Sequence, residues 1–352
     1  MKGHLILLDH LTGPEGPVES AALLRDGKLE DLLIDSDAPR PGTIYRARAD
    51  RPVKGQGGMF LTTPDGPAFL KQIKGLSPGE PLLVQVTGYA EPGKAIPVTT
   101  RLLFKSRYAI VTPGAPGINV SRAIKDDDTR DDLTERAHDA LSDAPLPEDA
   151  GLILRSSCET GDEAEVAEDI AAMSALAAAV LADATGPEEK LTEGDGPHAL
   201  AWRDWAMDAQ IETEPGCFDH HDIHTKIAAL FRPEVRIGET TIYIEPTRAL
   251  TAVDVNTGTD TSLAAGLKAN LAMARDLPRQ LRLRGIGGQI VLDLAPMPKK
   301  DRPVFEGTLR SALRSDDTDT VLAGWTPLGN YELQRKRARL PLSVLVTEGM
   351  IA

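Results

Sequence analysis

Two aspartates stand where an aspartate is costly. Asp254 falls in Ala249-Leu250-Thr251-Ala252-Val253-Asp254-Val255-Asn256, and Asp293 in Gln289-Ile290-Val291-Leu292-Asp293-Leu294, runs that are otherwise apolar and β-branched. Runs of that composition read as strands. A carboxylate buried inside such a strand needs a partner. Two of them, on strands that a helix brings side by side, point to a shared cation. A donor set of oxygens, with no His or Cys, favours Mg²⁺ over zinc, with Mn²⁺ as the alternative.

The competing clusters are weaker. Asp126-Asp127-Asp128 reads as the solvated, cap-like start of a polar helix rather than a metal site. His220 and His224 have the spacing of a ligand pair on one helix face, but no third ligand is close in sequence, and a surface or capping role accounts for them. Cys158 and Cys217 give no disulfide framework and no cysteine metal site, so a reducing cytoplasm is the expected compartment. Paired carboxylates also serve glycoside hydrolysis, but that chemistry wants an aromatic-lined cleft, and aromatics are 4% of this chain.

The aspartates need elements to hold them. Asp260-Thr261-Ser262 is good N-cap chemistry for a helix running through Leu263, Leu267, Leu271 and Ala274 to Leu281, with a kink expected at Pro278. Val235–Ile237 and Thr241–Glu245 read as a hairpin leading into the Asp254 strand. Past Met297 come a basic loop at Lys299-Lys300, a helix over Phe305–Leu313, a last strand from Val321 and a basic amphipathic stretch over Leu328–Arg339. At the other end, Leu5–Asp35 reads as three antiparallel strands with a tight turn at Asp26-Gly27. From Gly42 to Leu103 turn residues punctuate short strands, the pattern of a small barrel, OB-type or another Greek key. Its aromatics for base stacking are few: Tyr45, Phe60, Phe69 and Tyr89. Lys125–Asp149 is an acidic helix, Gly151–Ser157 a buried strand ending in Arg155 and two hydroxyls, Glu163–Asp183 an alanine-rich helix and Thr185–Pro197 an exposed loop.

At 352 residues the chain is long enough for two or three domains, and no stretch approaches the roughly 20 apolar residues needed to cross a bilayer. The net charge of −14 argues at first against nucleic acid. The charge is uneven, however. From Val235 onward 16 Lys and Arg stand against 13 Asp and Glu, a balance of +3, which leaves 23 against 40 in the first 234 residues. The cations gather in Arg279-Gln280-Leu281-Arg282-Leu283-Arg284 and Arg335-Lys336-Arg337-Ala338-Arg339.

The run Ile244–Gly258 closely resembles the catalytic strand of the ribonuclease E/G family, and Arg279–Asp293 its helix end and second aspartate strand. Weaker similarity extends over Gly117–Ile124, Gly151–Ser157, Gly216–Ile237 and Leu328–Arg337. The resemblance implies a metal-dependent endoribonuclease, cutting single-stranded RNA to 3′-hydroxyl and 5′-phosphate ends in RNA processing or decay. The runner-up is an RNA-binding protein that keeps the fold without hydrolysis. By the same analogy Asp254 and Asp293 hold one Mg²⁺, and Asn256 orients the first aspartate or contacts the scissile phosphate. Arg279, Arg282, Arg284, Arg335, Lys336 and Arg337 hold the RNA backbone.

The implied architecture is α+β. An RNase H-like subdomain (1–40 and 199–235) is interrupted by an OB-type barrel (41–105) and a 5′-sensor-like region (106–198), and a DNase I-like catalytic subdomain follows (236–352). In the barrel, Phe69 and Lys94 match RNA-contacting positions, whereas Met59 and Gly88 stand where the family has an aromatic and a lysine. Arg155 and Ser156 match an Arg-Thr pair that grips a 5′-monophosphate. No Cys-x-x-Cys motif precedes Ala352, so no zinc link is expected, and a homodimer would have to form by other means.

Overall fold

The computed structural model describes residues 3–53, 57–71, 75–91, 93–205 and 208–350. The chain forms two compact units: residues 1–36 with 209–352, and residues 37–208.

The first unit begins with strands β1 (His4–Gly13), β2 (Gly16–Arg25) and β3 (Lys28–Ile34), an antiparallel meander. Asp26 and Gly27 both take positive φ (50° and 78°) in the second turn, the backbone that an Asp-Gly hairpin requires.

The second unit opens with β4 (Ile44–Val53), β5 (Gly58–Thr63), β6 (Gly66–Leu70), β7 (Pro81–Val86) and β8 (Ile96–Thr99). They pair in the order β4-β5-β6-β8-β7, and β7 returns to β4, so five strands close a barrel consistent with an OB-type domain. Tyr45, Met59, Leu61, Leu70, Val84 and Val98 fill it. A second sheet follows from β9 (Phe104–Lys105), β10 (Ala109–Pro113), β11 (Gly117–Val120) and β12 (Ala150–Leu154). Helices α1 (Asp127–Asp143) and α2 (Glu163–Ala182) share its core. Asp126 caps α1 by accepting from Thr129 N at 2.8 Å, so the aspartate triplet begins a helix. Residues 185–197, expected as loop, contain a strand, β13 (Glu189–Thr192), on β4. The reason is ionic. Buried Arg46 reaches Glu189 and Asp183, and Arg48 reaches Glu188 at 3.2 Å, so a charged segment becomes sheet. Helix α3 (Pro197–Asp204) ends the unit, so residues 199–208 lie with it and not with the meander.

The first unit resumes with β14 (Gln210–Glu212), parallel to β1, then α4 (Cys217–His220) and α5 (Ile223–Leu230). Phe218, Ile223 and Ile227 pack on Leu5, Leu7 and Leu24 of the meander. The second sheet of this unit holds β15 (Glu234–Ile237), β16 (Thr240–Pro246), β17 (Thr251–Asn256), helix α6 (Leu263–Leu283), β18 (Gly288–Asp293), helix α7 (Arg302–Arg314), β19 (Thr320–Trp325) and β20 (Tyr331–Arg335). Its order is β15-β16-β17-β18-β20-β19, with only β17 and β18 parallel. Both helices pack on one face: Met273, Leu277, Leu281, Phe305 and Leu309 meet Ile242, Val253, Ile290, Leu292 and Leu333. Pro278 sits inside one unbroken α6.

The stretch expected as basic and amphipathic supplies β20 instead, between β18 and β19. Tyr331, Leu333 and Arg335 all face inward; Arg335 is 2% exposed and its guanidinium meets Asp316 at 2.6 Å. Asp316 also takes Arg282, which reaches Glu30 at 3.1 Å, while Arg339 holds Asp31 with two bonds of 2.5 and 3.0 Å. This buried ionic network joins the meander to α6, β19 and β20.

Removing one partner of a buried ion pair leaves the other uncompensated, at a cost of about 3–5 kcal/mol. Asp316→Asn should therefore lower the first unit's urea midpoint sharply, whereas Lys268→Ala, which breaks an exposed pair with Glu239, should leave it unchanged. Burial pushes the Asp31 carboxyl up, but Arg339 and then Arg282 outweigh it and hold it below the usual range. Its contribution is complete above the unfolded carboxylate value of about 4 and is lost as pH falls through the depressed folded value. Urea melts of the wild type and Asp31→Asn should accordingly converge in acid.

Candidate metal centre and nucleic-acid interface

The sheet of the first unit has one covered face, so alternation decides where each side chain points. Val253, Val255 and Leu292 are buried beneath the helices; Asp254, Asn256 and Asp293 alternate with them and are exposed. This corrects the expectation of buried carboxylates. Each aspartate occupies an outward position, and its inward neighbours on the strand, Val253, Val255 and Leu292, are apolar.

The parallel register sets Asp254 beside Asp293 on adjacent strands. Asn256 Nδ2 donates to Asp254 Oδ2 at 2.7 Å, fixing one carboxylate oxygen and leaving the amide oxygen free to face outward. Like charges directly across a sheet are destabilising, and a divalent cation between them removes that penalty. The donors present are two carboxylates and an amide oxygen, which suit Mg²⁺ or Mn²⁺. Among the described residues no group of three or more His, Cys, Asp or Glu side chains forms a metal cluster, so water would have to complete the shell of an ion held by the two aspartates.

The helix after β17 packs close to this end of the sheet. Gly266 lies against the Pro296 carbonyl, where a Cβ would collide, and Asn270 bonds Ala295 through both its nitrogen (2.9 Å) and its oxygen (3.0 Å). The loop following Asp293 is thereby fixed to α6.

The arginines expected to hold RNA do not gather here. Arg279, Arg282 and Arg284 end α6 and Arg335 ends β20, at the Gly288 end of β18. That end is five residues from Asp293, about 16 Å at roughly 3.3 Å per residue. Arg279 pairs with Asp276 at 2.8 Å and donates to the Leu29 carbonyl; Arg282 and Arg335 belong to the ionic network; Arg284 is buried on Gln280. All four are structural. Their spacing resembled a basic patch because sequence shows cations and not the buried anions that meet them. Lys336 and Arg337 remain exposed, with Arg337 lying over Gly288, whose φ of 91° and missing Cβ make room for it. The first exposed cations after Asp293 are Lys299 and Lys300, in a short 3₁₀ turn before α7.

In the barrel, Phe69 is on the outer face and pairs in register with Phe60, ring centroids 5.3 Å apart; the Arg51 guanidinium lies 5.3 Å over Phe60. Phe69 lies across Gly58, where a side chain would strike its ring. Met59 points into the barrel, so the outward aromatic is its neighbour Phe60, one position on. Strand alternation was the signal that could have singled out Phe60. Tyr45 is also internal, its hydroxyl bonded to Asp65 at 2.5 Å. Lys94 is exposed and paired with Glu91 at 2.9 Å.

Arg155 donates to the Ser106 carbonyl at 2.5 Å and to Asp204 at 2.8 Å, so much of its guanidinium is already engaged; Ser156 is exposed beside it. His220 and His224 do not converge. A left-handed Asp222 (φ 54°) separates α4 from α5, His224 meets Asp219 at 3.1 Å, and the neighbouring His221 meets Glu212 at 2.9 Å. Both cysteines are buried free thiols, pushed up to about 11 at Cys158 by burial and to about 12 at Cys217 by burial and the Asp9 carboxylate. Neither is poised as a nucleophile or a metal ligand.

A closed barrel with paired outer aromatics, and a separate sheet presenting an oxygen-donor pair on its uncovered face, define a modular α+β protein with a candidate metal centre. The family model described as Ribonuclease E/G family matches residues 104–210 and 204–338, and the chain belongs to that family. Ribonuclease E of Nostoc sp. is 28% identical over 90% of this chain and 54% of its own length. Ribonuclease G of Salmonella typhimurium is 28% identical over 90% of this chain and 77% of its own length, and ribonuclease E of Escherichia coli is 29% identical over 74% and 28%. The chain thus spans about half of the Nostoc protein. No helix among the described residues is long and apolar enough to cross a membrane.

If the carboxylate pair holds a cation, Mg²⁺ at 100 times its dissociation constant should stabilise the first unit by about 2.7 kcal/mol. Asp293→Asn should abolish that stabilisation while leaving the protein in EDTA at least as stable as wild type, because the facing like charges are gone. Thermal melts with and without Mg²⁺ check both.

Proposed function

We propose that the chain is a Mg²⁺-dependent endoribonuclease acting on single-stranded RNA and producing 3′-hydroxyl and 5′-phosphate ends. The observation that carries this reading is the in-register placement of Asp254 and Asp293, with Asn256 bonded to the first, on the open face of a sheet. The family's relatives named ribonuclease E and ribonuclease G support it. On this reading the finer parts are an RNase H-like subdomain, an OB-type barrel, a 5′-sensor-like region and a DNase I-like catalytic subdomain.

When bound, Mg²⁺ supplies Lewis-acid charge and lowers the pKa of water. Asp254 and Asp293 hold the ion. Asn256 keeps Asp254 in its rotamer and offers its amide to a phosphoryl oxygen. The water oxygen bonds to phosphorus as the bond to O3′ breaks; the water's proton leaves and O3′ gains one, which yields the stated ends. Lys299 and Lys300, exposed after Asp293, would hold flanking phosphates.

The barrel fits the reading too. Phe60 and Phe69 lie on its second and third strands and Lys94 on the loop between its fourth and fifth, the elements with which OB-type barrels take oligonucleotides.

Asp254→Asn or Asp293→Asn should slow cleavage of an AU-rich single-stranded oligonucleotide at least about a hundredfold, roughly 2.7 kcal/mol in the barrier, with oligonucleotide affinity retained. Cleavage that survives EDTA, or equal rates in the variants, would sink the assignment. Binding without cleavage under any divalent metal would make the chain an RNA-binding protein. Phe69→Ala should weaken binding roughly tenfold, as expected for loss of one stacking platform.

A further inference from the structure

The open face carries one more side chain with no structural explanation. Strands β15 to β18 set a row across the sheet: Glu234 opposite Tyr243, Tyr243 opposite Asp254, and Asp254 opposite Asp293. Tyr243 alternates with buried Ile242 and Ile244, so its ring projects to the face that carries the aspartates. It takes no part in the core beneath the sheet. Along its own strand its neighbours on that face are Thr241 and Glu245, and across the strands they are Glu234 and Asp254, all polar. A partly exposed ring, with polar residues opposite it on both neighbouring strands and one strand from the carboxylate pair, is outside the core cluster under the sheet.

Beside it stands a cation. Arg236 is on β15, in register with Thr241, which is in register with Asn256. Its side chain is 79% exposed and bonds Glu234 at 2.7 Å. That bond raises Arg236 above its ordinary value, and the register puts Arg236 opposite Thr241, two positions along the strand from Tyr243 on the same face. Neighbouring strands lie about 4.8 Å apart, so Tyr243 is one strand spacing from Asp254 and Arg236 two from Asn256. Single-stranded RNA splays its bases onto aromatic side chains, so a nucleotide laid across the strands can meet the ring and the cation together.

We propose that Tyr243 is a substrate-positioning residue, stacking on the nucleobase next to the scissile phosphate while Arg236 holds the neighbouring phosphate. The proposal rests on Asp254 and Asp293 as the cleavage centre. It makes the strands running from β15 to β18 the RNA path and explains why an aromatic stands where alternation calls only for a polar residue. Stacking tolerates any base, so the site positions the strand with little sequence choice.

The test is a scan in EDTA, which reads binding without cleavage. A fluorescent single-stranded oligonucleotide is prepared with one abasic position moved along it, and binding to wild type, Tyr243→Ala, Tyr243→Leu and Tyr243→Phe is measured by anisotropy. In wild type and Tyr243→Phe, one abasic position besides that stacked on Phe69 should cost about tenfold in affinity. In Tyr243→Ala and Tyr243→Leu the intact oligonucleotide should bind about tenfold more weakly, with no further loss at that position. With Mg²⁺ restored, the bond cut by wild type should adjoin that position. Arg236→Gln should lower the salt dependence of binding and leave the abasic penalty intact. The absence of any position whose abasic penalty is lost in Tyr243→Ala, or a coupled position more than two nucleotides from the cut, would overturn the proposal. Equal cleavage by wild type and Asp254→Asn would overturn the centre itself, a result read separately from the scan.

Discussion

Asp31, Asp316, Arg282, Arg335 and Arg339 are charges placed where water barely reaches, and the first unit depends on their balance. Each alone would cost several kcal/mol to bury; with Glu30 as the third carboxylate, the three arginines are balanced. Their geometry binds distant parts of the chain: Arg282 links the end of α6 to Glu30 and Asp316, and Arg339 holds Asp31 in the middle of the meander's last strand. Hydrophobic contact alone would let the meander slide on the second sheet, since apolar packing is non-directional. The bidentate Arg339–Asp31 pair fixes one position.

That fixed frame allows the opposite face to be functional. With α6 and α7 filling one side of the sheet, the other has no packing to perform, and its outward positions carry Asp254, Asn256, Asp293, Gln289 and Gln334. Structural cations and candidate chemistry are thus segregated to opposite ends of β18. The +3 balance of the C-terminal region therefore overstates the charge available to RNA, because Arg279, Arg282, Arg335 and Arg339 are already paired with carboxylates inside.

Much of this was legible in the residues. Apolar runs, an Asp-Gly turn, an Asp-Thr-Ser cap and a proline/glycine-punctuated stretch placed the meander, α6 and the barrel close to where they stand, because those signals are local. The Asp254–Asp293 pairing was legible as a strand–helix–strand unit, although exposure was misjudged: a run such as Thr-Ala-Val-Asp-Val-Asn looks continuously apolar until one asks which face each residue takes. Arg335 hid a strand for the converse reason. A charged residue in an inward position breaks the expected alternation, and its partner, Asp316, lies 19 residues away in sequence. β13 was missed because Glu189 forms sheet through a buried arginine more than a hundred residues earlier. Tyr243 was read only as part of a hairpin, since its interest comes from the register with Asp254, which spacing does not show.

The meander and the helices that cover it are separated by the whole second unit. During synthesis β1 to β3 emerge first, with Leu5, Leu7 and Leu24 turned toward a core whose other half does not yet exist. The 172 residues of 37–208 must follow before β14, α4 and α5 arrive. At about 5–20 residues per second that wait is roughly 10–35 s, long compared with the folding of a small domain. The inserted unit has its own cores and can complete itself meanwhile. The meander cannot, and its bare apolar face makes the nascent chain, rather than the finished protein, the form most exposed to aggregation and most in need of a chaperone's cover.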